Sequence, residues 1–183
     1  MNTSTAFKLS LAMAGLMALP LAQAADMSKT DYNASKTRIG AEYKAAKAAC
    51  ATYAGNAKDV CLEEADARQK VARAELEYGY SGKLEDRTQL NIVKAESAYA
   101  VAKEKCDDRG GNAKDVCVQQ AKAAETKAIA DARMDQQVGE ARVESTRAKR
   151  DADYKVAVEK CDAMAGDAKA SCLSAAKAAF GKG

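Results

Sequence analysis

The seven residues Gly55-Asn56-Ala57-Lys58-Asp59-Val60-Cys61 recur letter for letter at residues 111–117, and a related copy, Gly-Asp-Ala-Lys-Ala-Ser-Cys, occupies residues 166–172. Each copy ends in a cysteine, and another cysteine precedes it by eleven residues. The six cysteines thus form three C-x10-C pairs: Cys50 and Cys61, Cys106 and Cys117, and Cys161 and Cys172. The first cysteines of successive pairs are 56 and 55 residues apart. A nearly constant spacing of this kind is typical of a repeated supersecondary unit. The sequence therefore predicts three copies of one unit, at about residues 28–78, 83–138 and 140–183.

The residues around each cysteine pair are spaced as on two facing helices. Tyr43, Ala46 and Cys50 follow the pattern i, i+3, i+7, which places them on one helix face, and this spacing recurs in the other two units. Between the two cysteines, a glycine suits the left-handed conformation that ends a helix. The Asn or Asp that follows it suits the N-cap of the next helix. The predicted caps are Gly55 and Asn56, Gly111 and Asn112, and Gly166 and Asp167.

The composition favours long helices over a mixed α/β domain. Alanine makes up 43 of the 183 residues, proline occurs once, and 30% of the residues are charged. Only Gly139 interrupts the strong helix formers between the second and third units, at a cost of about 1 kcal/mol. We therefore predict an all-α, elongated fold of disulfide-stapled helical hairpins, with a turn at residues 79–82 and an unbroken fourth helix over about 113–161.

The spacing of the cysteines distinguishes three kinds of cysteine chemistry. A zinc site uses cysteines three to five positions apart (C-x2–4-C), often with histidine, and a redox-active pair uses C-x-x-C. A separation of eleven residues without histidine fits neither. An exported chain meets an oxidising compartment, where structural disulfides form, and each pair here faces across a short loop. Of the fifteen connectivities of six cysteines, we predict the symmetric one, which closes each hairpin within its own unit.

Residues 1–24 have the three parts of a secretory signal peptide. A positively charged start precedes a fourteen-residue apolar run at residues 9–22, and Ala22 and Ala24 are the small residues before the expected cut. The run is shorter than the roughly 20 residues that a membrane-spanning helix needs. We therefore predict cleavage after Ala24 and a released domain of residues 25–183 without a membrane span. Its predicted location is the periplasm of a Gram-negative bacterium, or outside the cell.

The chemistry of the side chains argues against an enzyme. The chain contains no histidine, so neither a His-based catalytic triad nor a His metal site can form. Its 29 basic and 26 acidic residues are interspersed, whereas a nucleic-acid-binding surface is a basic stripe. We therefore predict no catalytic residues, no cofactor, no bound metal and no nucleic-acid partner.

Two bacterial envelope families are similar to this chain in composition. The stretch A-K-A-A-E-T-K-A at residues 121–128 resembles the Ala/Lys/Glu-rich helical segment of TolA proteins. TolA proteins are membrane-anchored, so a role in the Tol complex is not implied. In size, export signal and basic charge the chain is also similar to periplasmic chaperones of the Skp family. The strand-forming trimer core of that family has no counterpart here. The resemblances imply a helical protein of the cell envelope.

Two functions from different classes are consistent with these features. One is a non-enzymatic structural or interaction protein of the envelope, a disulfide-stabilised rod that presents charged faces to protein partners. The other is a periplasmic holdase chaperone for unfolded exported proteins. A holdase needs an exposed apolar surface or a cavity, and only 29 of residues 25–183 are Val, Ile, Leu, Met, Phe or Tyr. We favour the first, with the partner's identity and the oligomeric state left open.

Overall fold

The computed structural model describes residues 27–182, which form five α-helices joined by short connections. The helices are α1 (Lys29–Ala49), α2 (Gly55–Ser81), α3 (Leu84–Cys106), α4 (Gly111–Asp162) and α5 (Gly166–Phe180), with a 3₁₀ turn at Cys50–Thr52. This described part of the chain contains no β-strand, and the predicted all-α class is confirmed. The predicted signal peptide at residues 1–24 lies outside the described residues.

Local chemistry sets the ends of the shorter helices. Ser28 caps α1, because its hydroxyl oxygen accepts a hydrogen bond from the Asp31 amide at 3.1 Å. Gly82 ends α2 with a φ of +63°, a left-handed conformation that glycine adopts without steric cost. The turn predicted at residues 79–82 is narrower than expected. The first three of these residues belong to α2, and only Gly82 and Lys83 separate α2 from α3.

The fourth helix is continuous over 52 residues, which gives a length of about 78 Å at 1.5 Å per residue. The predicted helix of residues 113–161 lies within it, so the unbroken long helix is confirmed. Gly139 does not interrupt it, and the Leu84 side chain of α3 packs over this glycine. A Cβ atom added at Gly139 would lie 2.8 Å from Leu84 Cδ2. Gly139 therefore marks the level at which α3 begins alongside α4.

Close packing in residues 27–182 joins only consecutive helices: α1 with α2, α2 with α3, α3 with α4, and α4 with α5. Short connections make each pair antiparallel. Glu64 near the start of α2 forms a 2.7 Å ion pair with Lys105 near the end of α3, so the first two hairpin tips lie at the same end. From Cys117, α4 then runs about 66 Å to Cys161 at the third tip. The molecule is therefore elongated, with the third tip at the opposite end.

The buried core is thin and consists mainly of alanine and cysteine. The buried hydrophobic residues in the described part are Ile39, Cys50, Ala65, Leu76, Leu90, Ala95, Cys106, Ala132, Cys161 and Ala176. Small side chains let helices approach closely, but each removes little apolar area from water. The first cysteine of every pair is at most 1% exposed. The largest fully buried side chains of residues 27–182 therefore lie at the hairpin tips.

Candidate functional site

The three hairpin tips are closed by disulfide bonds. The bridges join Cys50 to Cys61, Cys106 to Cys117, and Cys161 to Cys172, with Cα–Cα distances of 5.6, 5.7 and 5.6 Å respectively. These are the pairs predicted from the repeat, and no cysteine in the described residues is free. Each bridge joins the end of one helix to the second turn of the next. Closing a loop of this size stabilises a fold by about 3 kcal/mol in the chain-entropy model.

The glycines at the tips have the predicted conformation but a different position in the helices. Gly55, Gly111 and Gly166 have φ angles of +56°, +52° and +58°, in the left-handed region. Each is the first residue of the second helix of its hairpin, whereas we predicted that it ends the first helix. The residue before each glycine is extended. The glycine itself therefore redirects the chain and starts the helix.

The prediction of polar N-caps at the tips is wrong for all three residues: Asn56, Asn112 and Asp167. The N-cap positions lie two residues earlier and carry no capping side chain: Ala54, Gly110 and Ala165. Because each helix already begins at its glycine, the polar residue lies inside the first turn. The Asn56 Nδ2 atom is buried there without a hydrogen-bond partner. Asp167 still interacts favourably with the dipole of α5, since its negative charge lies in the first turn.

Ion pairs distinguish the second and third tips from the first. Asp107 and Lys114 are 3.0 Å apart across the second tip, and Asp162 and Lys169 are 2.9 Å apart across the third. The residue of the first tip that corresponds to the two aspartates is Ala51, which lies in the 3₁₀ turn. The first tip is therefore closed without this ion pair.

The tyrosine seven residues before each cysteine pair contacts the other helix of its hairpin. These contacts are Tyr43 with Asp66, Tyr99 with Lys122, and Tyr154 with Phe180. The first is a hydrogen bond from the phenol to the carboxylate. In the second, Nζ lies 4.9 Å from the ring centroid, and in the third the two ring centroids are 6.0 Å apart. The Glu125 carboxylate, 2.5 Å from Lys122 Nζ, also raises the pKa of Lys122, because it stabilises the charged form.

One face of α4 is covered by other helices at both ends and is bare in between. The start of α3 reaches it at Gly139. The end of α5 reaches it at Arg150, whose Nη2 atom donates to the Phe180 carbonyl oxygen at 2.9 Å. Every residue from 141 to 150 is exposed. We call this bare face the α4 slot, and its lining residues on α4 include Arg142, Val143, Thr146, Arg147 and Arg150.

The α4 slot is an open, basic depression with a volume of about 590 Å³. Lys182 at its α5 end donates from Nζ to Asp151 at 2.6 Å, and this bond lowers the pKa of the Asp151 carboxyl group. Neither Arg142 nor Arg147 forms an ion pair with any residue of the described chain. Val143, which is 69% exposed, adds an apolar surface. The slot can therefore hold an anionic group beside an apolar one.

The α4 slot was not among the predicted sites, although the sequence contains one local signal of it. Residues 141–150 include three arginines and one lysine but only one glutamate. This excess is hidden in the near balance of charge over the whole chain. The stretch is bare because of where α3 begins and where α5 ends along α4. Both positions are set by tertiary packing.

Residues 27–182 contain neither a metal-binding cluster nor a membrane-spanning helix. No group of three or more His, Cys, Asp or Glu side chains there could hold a metal ion. None of the helices described is both long and apolar enough to cross a membrane. Comparisons with protein-family models, with curated proteins and with solved structures find no match to this chain.

Proposed function

We propose that this chain is an exported, non-enzymatic structural or protein-interaction protein of the bacterial cell envelope, located in the periplasm or secreted. The observation that carries the proposal is the consecutive packing of five helices with a disulfide at each of three tips. A chain of helices packed only against their neighbours forms a rod with much of its surface available to partners.

The proposed location rests on the disulfides and on the sequence of residues 1–24. Disulfides persist in oxidising compartments such as the bacterial periplasm, and all six cysteines in the described residues are paired. The predicted signal peptide supplies the export route. N-terminal sequencing of the protein recovered from periplasm or medium should begin at Ala25-Asp26. Recovery of an uncleaved chain in the cytoplasmic fraction would contradict export.

The proposed mechanism is the presentation of charged surfaces by a rod with fixed ends. The first two tips lie at one end, and α4 places the third about 66 Å away. Ion pairs between neighbouring helices, such as Glu75 with Lys94 at 2.9 Å, lie at the surface. Surface pairs of this kind contribute little to stability, but their charges are accessible to a partner. Specific contacts with envelope proteins follow from charge complementarity along the rod.

An affinity experiment with the oxidised protein tests the interaction role. Tagged residues 25–183 are incubated with envelope extract, and retained proteins are identified and quantified by mass spectrometry. The matched control is the same chain reduced and alkylated, because it lacks the three bridges. We expect a few stoichiometric partners that the control does not retain. Retention of no partner in stoichiometric amount would contradict the proposal.

A groove between α2 and α3 favours a holdase as the second candidate. Its volume is about 640 Å³, and its apolar lining includes Ala67, Val71, Ala98 and Val101. An apolar surface of this kind could contact an unfolded client. Stoichiometric suppression of the aggregation of a denatured outer-membrane protein would support the holdase. The broad retention of unrelated unfolded proteins in the affinity experiment would do the same.

A further inference from the structure

The α4 slot continues a face of α4 on which other helices already pack. Glu125 and Ala132 lie on the part of α4 that α3 covers, and both are buried. Gly139 and Thr146 follow them at successive intervals of seven residues, which keeps all four positions on nearly the same helix face. Beyond the slot, Tyr154 contacts Phe180 of α5. The bare stretch is thus a gap of about 16 Å, or three helical turns, in an otherwise covered face.

We propose that the α4 slot binds an acidic amphipathic helix of a partner protein, about three turns long. The proposal rests on the proposed interaction role and names the class of partner. Acidic side chains of the bound helix pair with Arg142 and Arg147, whose guanidinium groups form no ion pair within residues 27–182. An apolar side chain covers Val143, which is 69% exposed. Recognition through apolar anchors at helical spacing is a common way of binding a helix.

Charge and shape distinguish this partner from two other occupants. A symmetric contact with a second copy of the chain would bring one basic stretch of residues 141–150 against another, and like charges at an interface are unfavourable. A flat membrane surface is hindered because the ends of α3 and α5 flank the slot, and each helix is about 10 Å across. A single helix laid along α4 fits between these two ends.

The test selects ligands from a displayed library of peptides of about 11 residues, three helical turns, with helical patterning and randomised surface positions. The target is the oxidised chain of residues 25–183. A parallel selection uses the double variant Arg142→Glu with Arg147→Glu, and circular dichroism checks that this variant remains helical. We expect acidic, amphipathic sequences to be enriched on the native chain and not on the double variant. Enrichment of basic sequences, or of none, would overturn the proposal.

Binding of the enriched peptides is then measured by fluorescence anisotropy. We expect the double variant to weaken binding by about tenfold or more, because two charge pairs become repulsive. Lys149→Glu is the matched control, since it changes charge in the same bare stretch but Lys149 does not line the slot. We expect less than about a twofold change for it. Equal losses in both variants would indicate general electrostatic attraction and overturn the proposal.

Two further measurements test whether a membrane surface or a second copy of the chain occupies the slot instead. Binding to phosphatidylglycerol vesicles that the double variant abolishes would overturn the proposal in favour of a membrane surface. Self-association in analytical ultracentrifugation that the double variant abolishes would overturn it in favour of a second copy. We expect neither.

Photo-crosslinking separates failure of this proposal from failure of the proposed function. A photoreactive amino acid replaces Val143 in the slot or, as a control, Ala141, which faces away from it. We expect an enriched peptide to crosslink at position 143 and not at position 141. If stoichiometric envelope partners are retained but the enriched peptide crosslinks equally at both positions, the interaction role stands and the slot assignment is wrong.

Discussion

The two parts of α4 are one helix in two different environments. Over residues 111–139 it lies against α3, and Glu125 and Ala132 are buried there. Over residues 141–150 every residue is exposed. Tertiary contacts therefore hold the first part. Apart from the Arg150 hydrogen bond to Phe180 at its end, the second part is held by hydrogen bonds within the helix and by intrinsic helix propensity.

The helical conformation of the bare stretch therefore depends on the packed parts of α4 on either side of it. Isolated helices shorter than about 12–15 residues are marginally stable in water, and the bare stretch has ten. It remains helical because packed helix continues on both sides, so that no new nucleus has to form. The distance between the first two tips and the third is thus maintained through the least supported part of the molecule.

Proline substitutions should separate the two parts most strongly. Ala132→Pro removes a backbone hydrogen bond at a cost of about 3 kcal/mol or more. It also adds a ring where the side chain is only 4% exposed, so we expect loss of the cooperative fold. Thr146→Pro has the same backbone cost but loses no packing, and we expect α4 to bend there. Thermal unfolding by circular dichroism and small-angle X-ray scattering measure the two results. Equal unfolding by both substitutions would contradict the comparison.

Removal of one disulfide should have a smaller, regional effect. Without the third bridge (Cys161→Ser with Cys172→Ser), we expect α5 to unfold. In the described chain, this 15-residue helix has one buried residue, Ala176, to hold it against α4. Without the second bridge (Cys106→Ser with Cys117→Ser), stability falls by a similar amount, about 3 kcal/mol. There α3 and α4 should remain helical through their long contact. Hydrogen exchange with mass spectrometry shows which helices unfold in each variant. Protected amides in α5 without its bridge would show that packing alone holds this helix.

Gly139→Ala tests the border between the packed and bare parts. Alanine is favoured over glycine in a helix by about 1 kcal/mol, but its Cβ would lie 2.8 Å from Leu84 Cδ2. Because Leu84 is half-buried at the start of α3, it can shift, and we expect a net stabilisation of about 0.5 kcal/mol. In a Leu84→Ala background the gain should reach about 1 kcal/mol. Urea denaturation measures both, and equal gains would show that Leu84 does not oppose the new methyl group.

The smallest expected effect is a pH dependence of folding stability, which arises at the α5 end of the bare stretch. The hydrogen bond from Lys182 lowers the pKa of Asp151 below its ordinary value, so the bond stabilises the folded state above the ordinary pKa, about 3.9. This contribution is lost as the pH falls through the lowered pKa. NMR shifts of Gly181 and Lys182 amides should report the release in acid. Asp151→Asn should remove this dependence, and an unchanged titration in that variant would assign it to another group.

The sequence was most informative where contacts are close along the chain. The repeat predicted all three disulfides, and helix propensity predicted α4 across Gly139. The N-cap of α2 was wrongly predicted at Asn56, because a polar residue after a glycine suits an N-cap. The helix begins at Gly55 instead, since the residue before this glycine is extended. The α4 slot was missed because it depends on the positions of Leu84 and Phe180 along α4. These positions are set by packing between distant segments, which local patterns do not contain.

The pairing of each cysteine with the next one along the chain also bears on how the protein matures. Every bridge spans a sequence separation of 11. During the proposed export, N-terminus first, the native partner of the first cysteine of each pair is therefore the next thiol to emerge. Oxidation in the order of emergence yields the native set directly. On that proposed route, an oxidant alone would be enough to form the native pairs. Each hairpin can then be complete before the following one has left the export channel.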